Sequence, residues 1–317
     1  MQLADTAGPE LGKCQHSEKL SLAGARRDAS VLTYPLSFHD QLSLEPTAMT
    51  SRSAGLAPRL AFARDLVREA GQLALGYFND QSRLQVKMKG VQDYLTAADG
   101  AVEVLLRQRL ATQFPDDGFY GEEGGGAAHE ALWIADPIDG TANFARGDLM
   151  WCISLGYVVQ GVPLLGILLA PAIGEEFVAQ AGRGATRNNK PISAATTAEM
   201  ARSTIEIGWS ARQPQREFIR LVETVMTAGA SVKRSASGAL GLAWAACGRT
   251  DGYMELHINS WDVAAGLLIA REAGAATNDF FAGDWLTKGN AVLASTPALA
   301  PQMAGFMGLD AATFAKA

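Results

Sequence analysis

The sequence predicts a mixed α+β protein: two α/β halves with a ligand cleft between them. Three observations carry this expectation. Leu66, Val67, Ala70, Leu73, Ala74, Tyr77 and Phe78 recur at helical spacing. Three apolar runs between 151 and 180, separated by turn signals, read as a β-meander. From about 185 onward, strand-like runs alternate with helical ones, and a cleft between two such halves is a usual place for a ligand.

Residues 1–55 do not share these patterns. They are polar and aperiodic, rich in Ser, Ala and Gly, with prolines at 9, 35 and 46. A mobile extension is expected, or an upstream misassigned start with Met49 the true beginning. The stretch lacks the cationic start and apolar core of a signal peptide, and Asp5, Glu10, Glu18 and Asp28 disfavour a transit peptide. A half spanning 56–184 follows, then one spanning 185–317. An amphipathic helix is expected over 58–78, a short strand over 85–89, and a second helix after Asp93-Tyr94-Leu95-Thr96-Ala97-Ala98-Asp99, with Val102, Leu105, Leu106 and Leu110 inward. Asp99, at the positive end of that helix, reads as a cap.

Phe119-Tyr120-Gly121-Glu122-Glu123 reads as a short strand running into Gly124-Gly125-Gly126, and Ala131 to Ala135 as a buried strand. The meander follows as 151–159, a Gln160-Gly161 hairpin, 162–169 and 175–180, then a glycine-opened loop through Asn188-Asn189-Lys190. In the second half, strands are expected at 204–209, 231–234 and 252–256. Helices are expected at 217–227, 239–246 and 261–273, the last two closed by Gly248 and Gly274.

Hydrophobic residues make up 48% and charged residues 19%, ordinary values for a soluble enzyme. The net charge of −6, without a basic stripe, argues against nucleic acid or an anionic membrane as partner. No apolar run reaches the length of a membrane-spanning helix. Cys14, Cys152 and Cys247 are odd in number and far apart, which fits free thiols in a reducing, cytoplasmic compartment. His16, His39, His129 and His257 show no zinc-ligand spacing with them.

The chemistry concentrates in Asp136-Pro137-Ile138-Asp139-Gly140-Thr141, at the end of the apolar run. Pro137 holds Asp136 extended, and Gly140 permits a tight turn and close approach of a ligand. Two carboxylates beside exposed backbone N–H groups suit a hard divalent cation and a phosphate. Together with Gly121-Glu122-Glu123 before it and Trp261-Asp262-Val263-Ala264-Ala265-Gly266 after it, this segment resembles the inositol monophosphatase family over about 58–305. These are magnesium-dependent, lithium-sensitive sugar phosphatases related to fructose-1,6-bisphosphatase.

The resemblance implies a layered αβαβα sandwich, commonly assembled as a homodimer, and it implies roles. Glu122, Asp136 and the Ile138 carbonyl would hold a first Mg²⁺. Asp136, Asp139 and Asp262 would hold a second, and a third, weaker Mg²⁺ would lie near Glu122. Paired cations about 4 Å apart suit phosphate ester hydrolysis. Asp99 and Thr141 would act on the attacking water, and the N–H groups of Gly140 and Thr141 would hold phosphate oxygens. Asp139, Glu255, Ser237 and Gly238 would line the sugar site. Glu255 also reads as a strand-edge charge, Asp262 as a helix cap, and Lys89 lies one position off a family lysine and takes no role. The substrate expected is inositol 1-phosphate. Histidinol phosphate, fructose 1,6-bisphosphate and a nucleotide 3′-phosphate are the alternatives within the same chemistry, and a regulatory protein contacting RNA or transcription machinery is the alternative outside it.

Overall fold

The structure, a computed structural model, describes residues 55–90 and 93–310. The expected extension lies outside the described residues, Gly55 apart. The chain begins with α1 (Leu56–Phe78), a hairpin of β1 (Lys87–Gly90) and β2 (Asp93–Leu95), and α2 (Ala97–Gln113). Then come β3 (Gly118–Gly121), β4 (Ala131–Asp139), the short α3 (Thr141–Phe144), β5 (Cys152–Val159), β6 (Val162–Ala170), β7 (Glu175–Gln180), β8 (Ala185–Arg187) and β9 (Lys190–Pro191). The remainder is β10 (Thr204–Ile207), α4 (Gln215–Thr227), β11 (Ser231–Lys233), α5 (Gly238–Ala246), β12 (Gly252–Ile258), α6 (Ser260–Glu272), β13 (Ala276–Thr277), α7 (Trp285–Lys288), β14 (Asn290–Ser295) and α8 (Ala300–Met307).

Five layers result. One core lies between α1 and α2 and one face of a seven-stranded sheet, β3 to β9 in sequence order, and includes Leu66, Val102, Leu106, Trp133 and Ile167. A second core, with Leu168, Leu242, Tyr253, Leu267 and Val292, lies on the other face, where α5 and α6 separate that sheet from a five-stranded one. The five-stranded sheet has the order β11-β10-β12-β14-β13, and its far face packs on α4 and α8 through Ile205, Leu221, Val225 and Met303. The mixed α+β class and the αβαβα order are therefore present.

Several local expectations change. The strand expected to stop at Ala135 continues to Asp139, so the motif belongs to the strand. The stretch expected as a loop after Gly182 folds as β8 and β9, which extend the first sheet beyond residue 185. Beyond Gly274 the sequence carries no clear pattern, yet β14 lies between β12 and β13, antiparallel to both. Asn290-Ala-Val-Leu-Ala-Ser is short, apolar and buried at its centre, and so lacks a diagnostic period. Gln160 and Gly161 both have positive φ, 51° and 78°, as the expected tight hairpin requires. Cys152 and Cys247 are free thiols.

Helix α6 lies flat on the meander because Gly156 and Gly166 are direct cross-strand partners beneath it. A Cβ on Gly166 would stand 2.6 Å from the Ala265 carbonyl oxygen, a backbone atom that cannot swing away. Gly166→Ala is expected to destabilise the protein by about 1–3 kcal/mol by overpacking, read as a melting temperature lower by several degrees. An unchanged melting temperature would mean that α6 is free to shift outward.

Candidate active site

β4 and β5 keep register as far as Asp136 opposite Ser154, and the next pair is Asp139 opposite Cys152. One extra residue on β4 is thus a bulge. Side chains three apart on a regular strand face opposite sides, and the bulge turns Asp139 back toward Asp136. Gly140 then takes φ 94°, where an added Cβ would lie 2.8 Å from the Met150 carbonyl oxygen. This sharp exit starts α3 at Thr141.

Asp262 arrives from the first turn of α6. It is the third residue of a capping box headed by Asn259, whose N–H donates to Asp262 Oδ2 at 3.0 Å. The cap itself is Asn259, and Asp262 keeps its other oxygen for the cleft. One carboxylate oxygen from each of Asp136, Asp139 and Asp262 lies within 4.8 Å of the others. Asp136 and Asp139 are buried, Asp262 partly so.

Three carboxylates this close cannot all ionise cheaply. Burial, then the charges of Glu122, Asp139 and Asp262, hold Asp136 well above the usual carboxylate range. Burial and the Asp262 charge push Asp139 up to about 7, against hydrogen bonds from Ser237 Oγ and from the N–H groups of Ala239 and Gly238. Burial also raises Asp262, opposed by its hydrogen bond with Asp136. Glu122 is pushed up to about 8 by burial and the Asp262 charge, with Lys89 pulling the other way. The donor set is all oxygen and short of positive charge, as a hard divalent cation requires.

The remaining expected residues gather round this cluster. Asp99 is the third residue of a capping box on α2, whose cap is Thr96. Its Oδ2 accepts from the Thr96 N–H and hydroxyl, while Oδ1 faces Thr141 Oγ1 at 3.2 Å. Burial pushes Asp99 up to about 6, against the Thr96 hydrogen bonds. Thr141 Oγ1 also lies 2.9 Å from the Ile138 carbonyl oxygen, to which it donates. The Ile138 N–H donates to Asp136 Oδ1 at 2.9 Å.

Glu122, Asp139, Asp262, Ser237, Gly238 and Glu255 all line one cleft of about 640 Å³, and Asp136, buried, lies beside Asp139 and Asp262. Ser237 caps α5, and its hydroxyl donates to Asp139 Oδ2. Glu255 is buried and is not a strand-edge charge. It accepts from the Tyr253 hydroxyl at 2.6 Å, and burial pushes it up to about 8. Lys89, left without a role by the sequence, places Nζ 3.0 Å from Glu122 and 2.9 Å from Glu123. Glu206 and Glu103 are buried acids that the sequence reading did not single out. Glu206 accepts from Ser235, and Glu103 accepts from the segment bearing Glu122. Glu103 had a signal: it falls one helical turn after Asp99, on the face that carries Val102 and Leu106.

Residues 56–306 match the model of the inositol monophosphatase family. A protein named Nus factor SuhB from Xylella fastidiosa is 37% identical over 220 residues, covering 68% of this chain and 80% of its own. An inositol-1-monophosphatase from Mesorhizobium japonicum is 34% identical over 230 residues, covering 71% and 86%. The solved structure of a Thermotoga maritima IMPase superposes with a TM-score of 0.72 at 30% identity, over 79% of this chain and 97% of that one.

Proposed function

Because this chain belongs to the inositol monophosphatase family, we propose that it is a Mg²⁺-dependent phosphatase of small phosphate monoesters, with inositol 1-phosphate as its first substrate. The observation that carries the reading is the convergence of Asp136, Asp139 and Asp262 from segments more than a hundred residues apart. A structural role would not bring three mutually repelling acids together.

Glu122, Asp136 and the Ile138 carbonyl would hold one cation, and Asp136, Asp139 and Asp262 the other. Bound there, such cations neutralise the phosphate dianion and make water more acidic. The chain supplies the rest. Thr141 Oγ1 would accept a hydrogen bond from the attacking water while its own proton turns to Asp99 Oδ1. Asp99 has its other oxygen occupied and a pKa near 6, which suits a base at neutral pH. The Gly140 and Thr141 N–H groups would hold phosphate oxygens. Glu255, with Ser237 and Gly238, would read the leaving alcohol.

Phosphate release from inositol 1-phosphate, histidinol phosphate, fructose 1,6-bisphosphate and adenosine 3′,5′-bisphosphate, with Mg²⁺ and with or without Li⁺, tests the reading. Absence of turnover on the whole panel would refute it. Glu255→Gln adds resolution. For a polyol substrate it is expected to raise KM by about 10-fold, the loss of about one strong hydrogen bond. For an ammonium-bearing substrate the loss should exceed about 100-fold, because a charge pair goes with it. Equal small effects on both would take Glu255 out of the substrate site.

A second reading rests on relatives named Nus factor SuhB: a binding role in transcription, independent of hydrolysis. Retention of full cellular function by a phosphatase-dead Asp139→Asn protein would favour it. No helix among the described residues is long and apolar enough to cross a membrane. A cytoplasmic homodimer is the assembly proposed, with sedimentation as the check.

A further inference from the structure

We propose that Glu103 is the positioning residue that sets the Glu122 carboxylate for metal binding, by serving as the buried post around which the Gly121–Gly124 turn is wrapped. The inference rests on the reading of Glu122 as a metal ligand.

Glu103 projects from α2 and is buried, with 4% of its surface exposed. Its two oxygens take two consecutive backbone donors: the Glu123 N–H on Oε2 and the Gly124 N–H on Oε1, each at 2.8 Å. Arg107, one turn further along α2, donates from Nη2 to Glu103 Oε1 at 2.8 Å and to the Gly125 carbonyl at 2.9 Å. The turn is thus tied to α2 at three successive residues. On its other side, the Glu122 N–H donates to the Ala135 carbonyl at 3.2 Å, one residue before Asp136. Glu122 is therefore fixed between a strand that carries two site aspartates and a helix that carries Asp99.

The glycines on either side of Glu122 and Glu123 have the same explanation. A Cβ on Gly121 would lie 2.4 Å from Glu103 Oε2, and a Cβ on Gly124 would lie 2.6 Å from Oε1. Neither glycine has a positive φ. What crowds a side chain at Gly121 is the carboxylate of Glu103, and at Gly124 that carboxylate together with Arg107 Nη2, 2.8 Å from the added Cβ, not the backbone conformation. A Gln there would present an NH₂ group to one of the two N–H donors, so one bond must break.

Groups that orient a metal ligand through hydrogen bonds typically change metal affinity by about 10–100-fold when removed. Glu103→Gln, in the full-length protein freed of metal and titrated with Mn²⁺ by calorimetry, is expected to bind at least about 10-fold more weakly. Its kcat at saturating Mg²⁺ is expected to stay within about threefold of wild type. Amide hydrogen exchange of the metal-free variant should quicken at Glu123 and Gly124 and stay unchanged in β4 and β5. Gly124→Ala disturbs the same contact from the backbone side and serves as the second variant, with the same loss of affinity expected. Glu122→Gln separates the two ideas. If Glu122→Gln binds Mn²⁺ like wild type, the ligand reading falls and this proposal with it. If Glu122→Gln weakens binding while Glu103→Gln and Gly124→Ala bind normally, only the positioning role of Glu103 is overturned.

Discussion

Asp136→Asn is expected to cut phosphate release by about 10³-fold or more, and at the same time to make the metal-free protein more stable at pH 8. The first effect follows from Asp136 being the acid assigned to both cations, whose charge supplies several kcal/mol of transition-state stabilisation. The second follows from the repulsion in the cluster. Asp136 faces Glu122, Asp139 and Asp262, and the Lys89 ammonium pairs with Glu122 and Glu123. These carboxyls are held above their ordinary values, so without metal the folded state binds more protons than the unfolded one through the range between. Their contribution is therefore fully present below about pH 4 and is lost as pH rises through 7 to 8. Asn resembles the protonated acid: its oxygen still accepts from the Ile138 N–H, and its NH₂ donates to Asp262. A gain of about 1–3 kcal/mol at pH 8 is expected, shrinking toward pH 4. Denaturant melts of both proteins in EDTA at the two pH values, beside a phosphate-release assay in Mg²⁺, check this. Wild-type turnover in the variant would refute the metal assignment. A stability loss at pH 8 would show that the cluster is not repulsive.

Asp99→Asn is the second large effect. A positioned general base typically contributes about 10²–10⁴-fold, and a fall of kcat within that range is expected with KM and Mg²⁺ dependence nearly unchanged. The fold should survive, because Asn keeps an oxygen for the Thr96 N–H and hydroxyl that cap α2. Thr141 gives the companion measurement. Thr141→Ser retains the hydroxyl between Asp99 Oδ1 and the Ile138 carbonyl and should stay within about tenfold of wild type, whereas Thr141→Val should match Asp99→Asn. A double variant no slower than either single one would place both on one proton path. An unchanged kcat in Asp99→Asn would reduce Asp99 to its capping role, which its geometry already accounts for.

Much of the scaffold was legible in the chain. Helical periodicity marked α1, α2 and α4 to within a few residues, because each buries one face and exposes the other, whereas α6, buried nearly all round between two sheets, was marked by its Trp261-Asp262 start and its closing Gly274. The meander was legible for the opposite reason, long apolar runs between paired turn residues. Several short strands were not. β8, β9, β13 and β14 are two to six residues long, and only partners distant in sequence make them strands. Among the acids, Glu206 looks like an ordinary surface charge in the chain, and Glu103 shows only its place on the inward face of α2; the reason for burying either becomes apparent once the backbone donors they satisfy are in place.

What the sequence determined by itself is the chemical inventory: an oxygen-only set of acids, a rigid Asp-Pro-Ile-Asp-Gly-Thr corner, and the mixed α and β segments that carry them. These depend on residue types and local spacing, which the chain states directly. The tertiary structure alone decided which oxygens meet. The bulge in β4 turns Asp139 to the side of Asp136, a capping box holds Asp262 at the head of α6, and the Glu103 carboxylate supports the turn beside them. Strand register and helix placement come from contacts between residues far apart in sequence, and no local pattern encodes them.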